Sequence, residues 1–139
     1  MTRACITRRH VYAALAWVAL AAPLSGCSGD HVKPSYSKSS LEPVVVTQLS
    51  ASKLQVQFNE PMESMYYAAG MSYVVEGDTM KVVVDRCPIS GQCTTMLRRY
   101  VKPGPAGPAR QEIPLMAPRV VMLYADGETQ IFMVSPSTT

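Results

Sequence analysis

Lys53-Leu54-Gln55-Val56-Gln57-Phe58 alternates polar and apolar residues without a break. A period of two puts Leu54, Val56 and Phe58 on one face and their polar neighbours on the other, as in a strand buried on one side. Upstream, Val44-Val45-Val46-Thr47 is β-branched and predicts a second strand. Downstream, the apolar runs 71–76 and 79–85 flank Gly77-Asp78, and 119–125 and 128–134 flank Asp126-Gly127. Such dipeptides between apolar runs predict two β-hairpins. Residues 94–101 and 111–116 read as strands, separated by Lys-Pro-Gly-Pro-Ala-Gly-Pro-Ala-Arg, a loop. Roughly seven or eight short strands in about 90 residues predict a mainly β fold, a small single-domain β-sandwich or barrel over 44–134.

The segment 59–69 breaks the alternation. Asn59 can cap a short helix with Pro61 in its first turn and Gly70 at its end. An irregular loop competes with it, so the expectation is one short helix or loop near 60–69. Leu54 to Met62 resembles, over nine residues, a strand-to-loop phrase of bacterial immunoglobulin-like domains, which would imply an immunoglobulin-like sandwich.

The first thirty residues are of another kind. Arg3, Arg8 and Arg9 precede an apolar run from Val11 to Ala22, and no acid occurs before Asp30. As a helix at about 1.5 Å per residue the run covers roughly 18 Å, short of the ~30 Å hydrocarbon core of a bilayer. A basic start and a short apolar run predict a secretory signal peptide rather than a permanent span. Leu24-Ser25-Gly26-Cys27 resembles the bacterial lipobox. The resemblance implies cleavage before Cys27, diacylglycerol on its thiol and a chain held to a membrane by lipid. Ser28 stands where an aspartate would resemble an inner-membrane retention signal, so the outer membrane, on the periplasmic side, is the expected location. The domain reading is a signal peptide over 1–26, a lipidated N-terminus and polar tether over 27–43, a β-domain over 44–134 and a tail over 135–139.

Cleavage changes the charge. The precursor's thirteen Lys and Arg include the three leader arginines, whereas all ten Asp and Glu follow Cys27. The mature chain is therefore formally neutral, with no bulk attraction to nucleic acid. Cys5 leaves with the leader, and Cys87 and Cys93 remain as a pair. In an oxidising compartment they predict a structural disulfide. Five intervening residues do not match the Cys-x-x-Cys redox spacing, and a zinc site needs further ligands.

Candidate chemistry is sparse. The mature chain keeps one histidine, His31, in the tether, so a nucleophile–histidine–acid constellation lacks its base. Glu60 and Glu63 are neighbours on a helical turn, an arrangement unlike two carboxylates facing across a cleft. Met62, Met65 and Met71 offer soft donors for Cu(I), against the commoner use of methionine as core filler. Val120-Val121-Met122-Leu123-Tyr124-Ala125 is apolar on both alternating sets. It reads as a buried central strand, or else as a face kept for another protein, with Val120, Met122, Tyr124, Tyr66 and Tyr67 as partner-binding candidates. The composite expectation is a non-enzymatic, cofactor-free envelope lipoprotein, bound to the membrane through its lipid and to another envelope protein in a secretion, conjugation or surface assembly. An inhibitor of a cell-wall enzyme and a small-ligand or copper carrier are the alternatives.

Overall fold

Gly77 has φ of +61°, a backbone open chiefly to glycine, and with Asp78 it joins two long strands in a two-residue turn. This hairpin is the spine of the computed structural model, which describes residues 32–99 and 107–135. Its strands are β3 (Tyr66–Glu76) and β4 (Thr79–Pro88), preceded by α1 (Lys38–Leu41), β1 (Val45–Ser50) and β2 (Lys53–Asn59). After them come β5 (Leu97–Arg98), β6 (Pro108–Pro114), β7 (Arg119–Tyr124) and β8 (Gly127–Met133).

The strands form two sheets, ordered β1-β2-β6 and β5-β3-β4-β7-β8, and neither closes into a barrel. The fold is thus the mainly β, sandwich-like domain that the alternation predicts. Every sheet neighbour is antiparallel except β4 and β7, which run parallel, Met80 beside Val120 and Val82 beside Met122. The alternation of 53–58 works as expected: Leu54, Val56 and Phe58 are fully buried, with Leu54 opposite Ile113 and Phe58 opposite Ala109. Across the core they meet Met71, Met80, Val82, Val84, Val120, Met122 and Tyr124 from the other sheet. Three of these are methionines, whose unbranched thioethers fill irregular gaps.

The second hairpin differs in detail. Tyr124 pairs with Gly127, so its turn residues are Ala125-Asp126 rather than Asp126-Gly127. Gly127, with φ of +151°, opens β8 instead. Residues 100–106, with most of the expected loop, and 136–139 of the expected tail lie outside the described residues. Of the strand expected over 94–101, the described residues 94–99 form only β5, because Thr95 and Met96 lie across the β3–β4 face. There Thr95 Oγ1 donates to Asp85, and the Met96 N–H donates to Ser72 Oγ at 3.2 Å. Gly70 permits this approach, since a Cβ there would collide with the Leu97 carbonyl.

Near 60–69 the loop alternative holds for the first six residues, and two other expectations meet a different structure. Residues 60–65 form a loop, and Tyr66 to Ala69 belong to β3, where Tyr66 pairs with Pro88 and Tyr67 with Cys87. A helix here would have had to place Met62 and Met65 on a buried face, yet both are exposed, and the strand ladder takes the backbone instead. Upstream, residues 32–43 of the expected tether are described, and part of them is packed. Tyr36 and Leu41 join the core, the Ala125 N–H donates to the Tyr36 carbonyl at 2.8 Å, and the Lys38 N–H donates to Asp126 Oδ1 at 2.8 Å. Polar composition averaged over the segment hides two large apolar side chains that bury well. Residues 28–31 of the tether, the signal peptide and Cys27 lie outside the described residues.

Cys87 and Cys93 form a disulfide with Cα atoms 5.6 Å apart, closing the loop that follows β4. A bridge over so short a loop removes about 2 kcal/mol of unfolded-state entropy. Cys87→Ser and Cys93→Ser are each expected to lower the urea midpoint by that equivalent while leaving far-ultraviolet circular dichroism unchanged at low denaturant.

Candidate functional site

The antiparallel β3–β4 pairing and the parallel β4–β7 pairing carry the start of β3, the end of β4 and the β7–β8 turn to one end of the larger sheet. The loop 60–65, the disulfide loop and Tyr36 gather at that end. The ionisable groups there are paired across the fold. Arg86, on β4, donates from Nε to both carboxylate oxygens of Glu63 at 3.0 and 2.9 Å, and its Nη2 lies 2.8 Å from Oε1. Its guanidinium also sits 3.8 Å from the centre of the Tyr66 ring, a stacked cation–π contact. The hydrogen bonds to Glu63 raise Arg86 further above the ordinary guanidinium range, so its charge is constant.

Arg99 acts similarly on Glu60. Its guanidinium pairs with the Glu60 carboxylate, donates to the Ala68 carbonyl from Nη2 at 2.9 Å, and lies 6.0 Å from the Phe58 ring centre. Arg98, its neighbour at the end of β5, is exposed. Glu60 and Glu63 are therefore fasteners: Glu63 ties the 60–65 loop to β4, and Glu60 ties it to Arg99, just beyond β5.

Tyr36 lies beneath this pair of bridges. Its hydroxyl is buried with no hydrogen-bond partner, and its pKa is pushed up to about 12, first by burial and then by the negative charge of Glu63. The raised value makes the group a pH sensor of stability. Below about pH 10 the phenol is neutral in both folded and unfolded chains, and nothing is lost. Between about 10 and 12 the unfolded phenol ionises first, so stability falls as pH rises. Tyr36→Phe is expected to remove that part of the alkaline decline. At pH 7 it should leave stability equal or slightly higher, because an unpaired hydroxyl leaves the interior. Urea titrations of both proteins at pH 7, 10 and 11 check this.

A second polar group lies on the outer face of the larger sheet. Ser72 Oγ donates to Asp85 Oδ2 at 2.7 Å, and Thr95 Oγ1 donates to the same oxygen. Because Ser72 also accepts the Met96 N–H, its hydroxyl is occupied in fixing the 94–97 segment. Towards the Gly77 turn, Glu76, Asp78, Lys81, Arg119 and Glu128 line a shallow groove of about 390 Å³. Lys81 pairs with Glu76 at 2.7 Å and Arg119 with Asp78 at 3.2 Å. Both pairs are solvent-exposed, the kind of surface ion pair that contributes little.

The partner-binding candidates divide. Val120 and Met122 are fully buried and Tyr124 is 4% exposed, so these three point into the core and offer no docking face in the folded domain. The apolar sets of 120–125 mark a central strand, with Val121 also buried on the opposite face. Tyr66 and Tyr67 are half-buried, Tyr66 occupied by Arg86. The methionines do not converge either: Met71 is fully buried, whereas Met62 and Met65 are 88% and 69% exposed. Among the described residues no group of three His, Cys, Asp or Glu side chains is placed to hold a metal ion.

Sequence reasoning missed Arg86 and Arg99 as partners of Glu63 and Glu60. No local signal marks them, because the pairs are separated by 23 and 39 residues. It also missed the edge strand β1 as a surface. Val44 and Val46 pack on the core, so Val45 and Thr47 face outward. Five of the six β1 residues are exposed, including Val45 and Leu49, and the strand Val-Val-Thr-Gln-Leu-Ser carries no charge and no proline. Comparison with protein families, with curated proteins and with solved structures finds no match for the chain.

Proposed function

We propose that the protein is an envelope lipoprotein, held by lipid on Cys27 to the outer membrane and facing the periplasm. Its β-sandwich is a non-enzymatic protein-binding module in a secretion, conjugation or surface assembly. The observation that carries the binding role is β1. An exposed edge strand offers unpaired backbone donors and acceptors, and soluble proteins commonly guard such edges with charge or proline. An uncharged, proline-free edge suits a partner that adds a strand to the sheet. The commitment of Glu60 and Glu63 to arginines supports a binding rather than a catalytic reading.

The test is a pull-down from detergent-solubilised envelopes, comparing the wild type with a Val45→Lys, Thr47→Lys double variant. Two lysines on the edge should sharply reduce capture of the partner, whereas Gln130→Lys, on the outer face of the other sheet, should not. A wild-type protein that captures no stable partner, or equal capture by all three proteins, would sink the reading.

A further inference from the structure

We infer that the loop end of the sandwich rests on the lipid surface to which the chain is anchored, with Met62, Met65 and Ile89 as its contact. The inference rests on the reading of Cys27 as the lipidated residue. Met62, Met65 and Ile89 are 88%, 69% and 63% exposed, unusual for large apolar side chains on one cluster of loops. The Ile89 N–H donates to the Met65 carbonyl at 2.9 Å, which joins the 60–65 loop to the disulfide loop. The Glu60–Arg99 and Glu63–Arg86 bridges and the Cys87–Cys93 disulfide hold both loops in place. Three apolar side chains are thus presented on a braced platform.

What covers them follows from where the chain enters. The described chain joins the core at Tyr36, whose carbonyl is bound by Ala125 at this same end. Cys27 precedes Tyr36 by roughly nine residues, a span of at most about 30 Å when fully extended. The far end of the sandwich, at Ala51-Ser52 and Gly77-Asp78, is a strand length away, about 36 Å for β3 at ~3.3 Å per residue. An anchor at that distance allows the loop end, where the chain enters, to lie directly against the bilayer. At the entry end the three apolar tips stand beside acids and arginines that are already paired, Glu63 with Arg86 and Glu60 with Arg99. Methionine and isoleucine on short loops suit the boundary between headgroups and acyl chains, where apolar burial adds to a lipid anchor.

The proposed mature chain offers a clean readout, since the one tryptophan of the sequence, Trp17, precedes Cys27. Met62→Trp, Ile89→Trp and Ala51→Trp are each made in the full, lipidated protein. Each is reconstituted into phosphatidylethanolamine–phosphatidylglycerol vesicles with and without brominated acyl chains. Flotation with the vesicles is scored first, then fluorescence. Met62→Trp and Ile89→Trp should float, emit at shorter wavelength than in detergent-free buffer, and lose at least about half their emission to brominated lipid. Ala51→Trp should float and show neither change. Failure to float would remove the anchor and the inference together. Flotation with no quenching of Met62→Trp and Ile89→Trp would overturn the inference alone. Shielding from aqueous iodide without quenching by brominated lipid would overturn it too, placing another protein on these loops.

Discussion

Replacing Phe58 with alanine is expected to destabilise the domain by about 3–5 kcal/mol, the largest loss among single core truncations. Phe58 is fully buried on the inner face of β2, opposite Ala109, with the Arg99 guanidinium beyond its ring. The small residue opposite cannot fill the space, so the truncation loses both transfer free energy and contacts around a cavity. It also removes the ring beside which the Glu60–Arg99 bridge is built. A domain of this size has only about 5–15 kcal/mol in total, so a sizeable part of Phe58→Ala should be unfolded near 37 °C. Urea unfolding should show a lower midpoint with the same slope. Val45→Ala, on the exposed face of β1, should stay within about 0.5 kcal/mol of the wild type. Equal effects from the two substitutions would refute the inward orientation of the 53–58 alternation.

Cys27→Ser is expected to abolish membrane attachment while leaving the β-domain intact. In the proposed anchor each buried methylene of an acyl chain would contribute about 0.8 kcal/mol, and a serine hydroxyl would carry no such chain. Membrane partition should therefore fall by several orders of magnitude. The variant should accumulate as unlipidated precursor or as protein released from the membrane fraction. Among the described residues the packing begins at Tyr36, nine positions after Cys27, so the urea midpoint of the released domain should not move. Intact-mass measurement of the native protein is the direct check: lipid mass on Cys27 is expected, and an unmodified thiol with the leader removed would end the lipoprotein proposal.

Two kinds of pattern differ in how far they can be read from the chain. The 53–58 alternation, the Gly77-Asp78 hairpin and the double apolar set of 120–125 are short-range patterns, and each became the element it predicts. The pair Cys87 and Cys93 was equally readable, since a loop of five residues leaves little choice of partner. Tyr36 and Leu41 were not readable, because a polar average does not reveal that two side chains out of a dozen find a groove. For residues 66–69, a local helix competed with a ladder to Arg86–Pro88 that sequence distance conceals.

Sequence by itself determined the mainly β class, the Gly77-Asp78 turn and the inward face of 53–58, because backbone stereochemistry and a two-residue period act between near neighbours. Tertiary structure alone decided which carboxylate meets which arginine, that Val120, Met122 and Tyr124 are core rather than surface, and that the apolar loop tips share an end with the chain's entry. Those outcomes depend on strand order and on the parallel β4–β7 pairing. They are energies of contact between distant segments, and no local pattern encodes them.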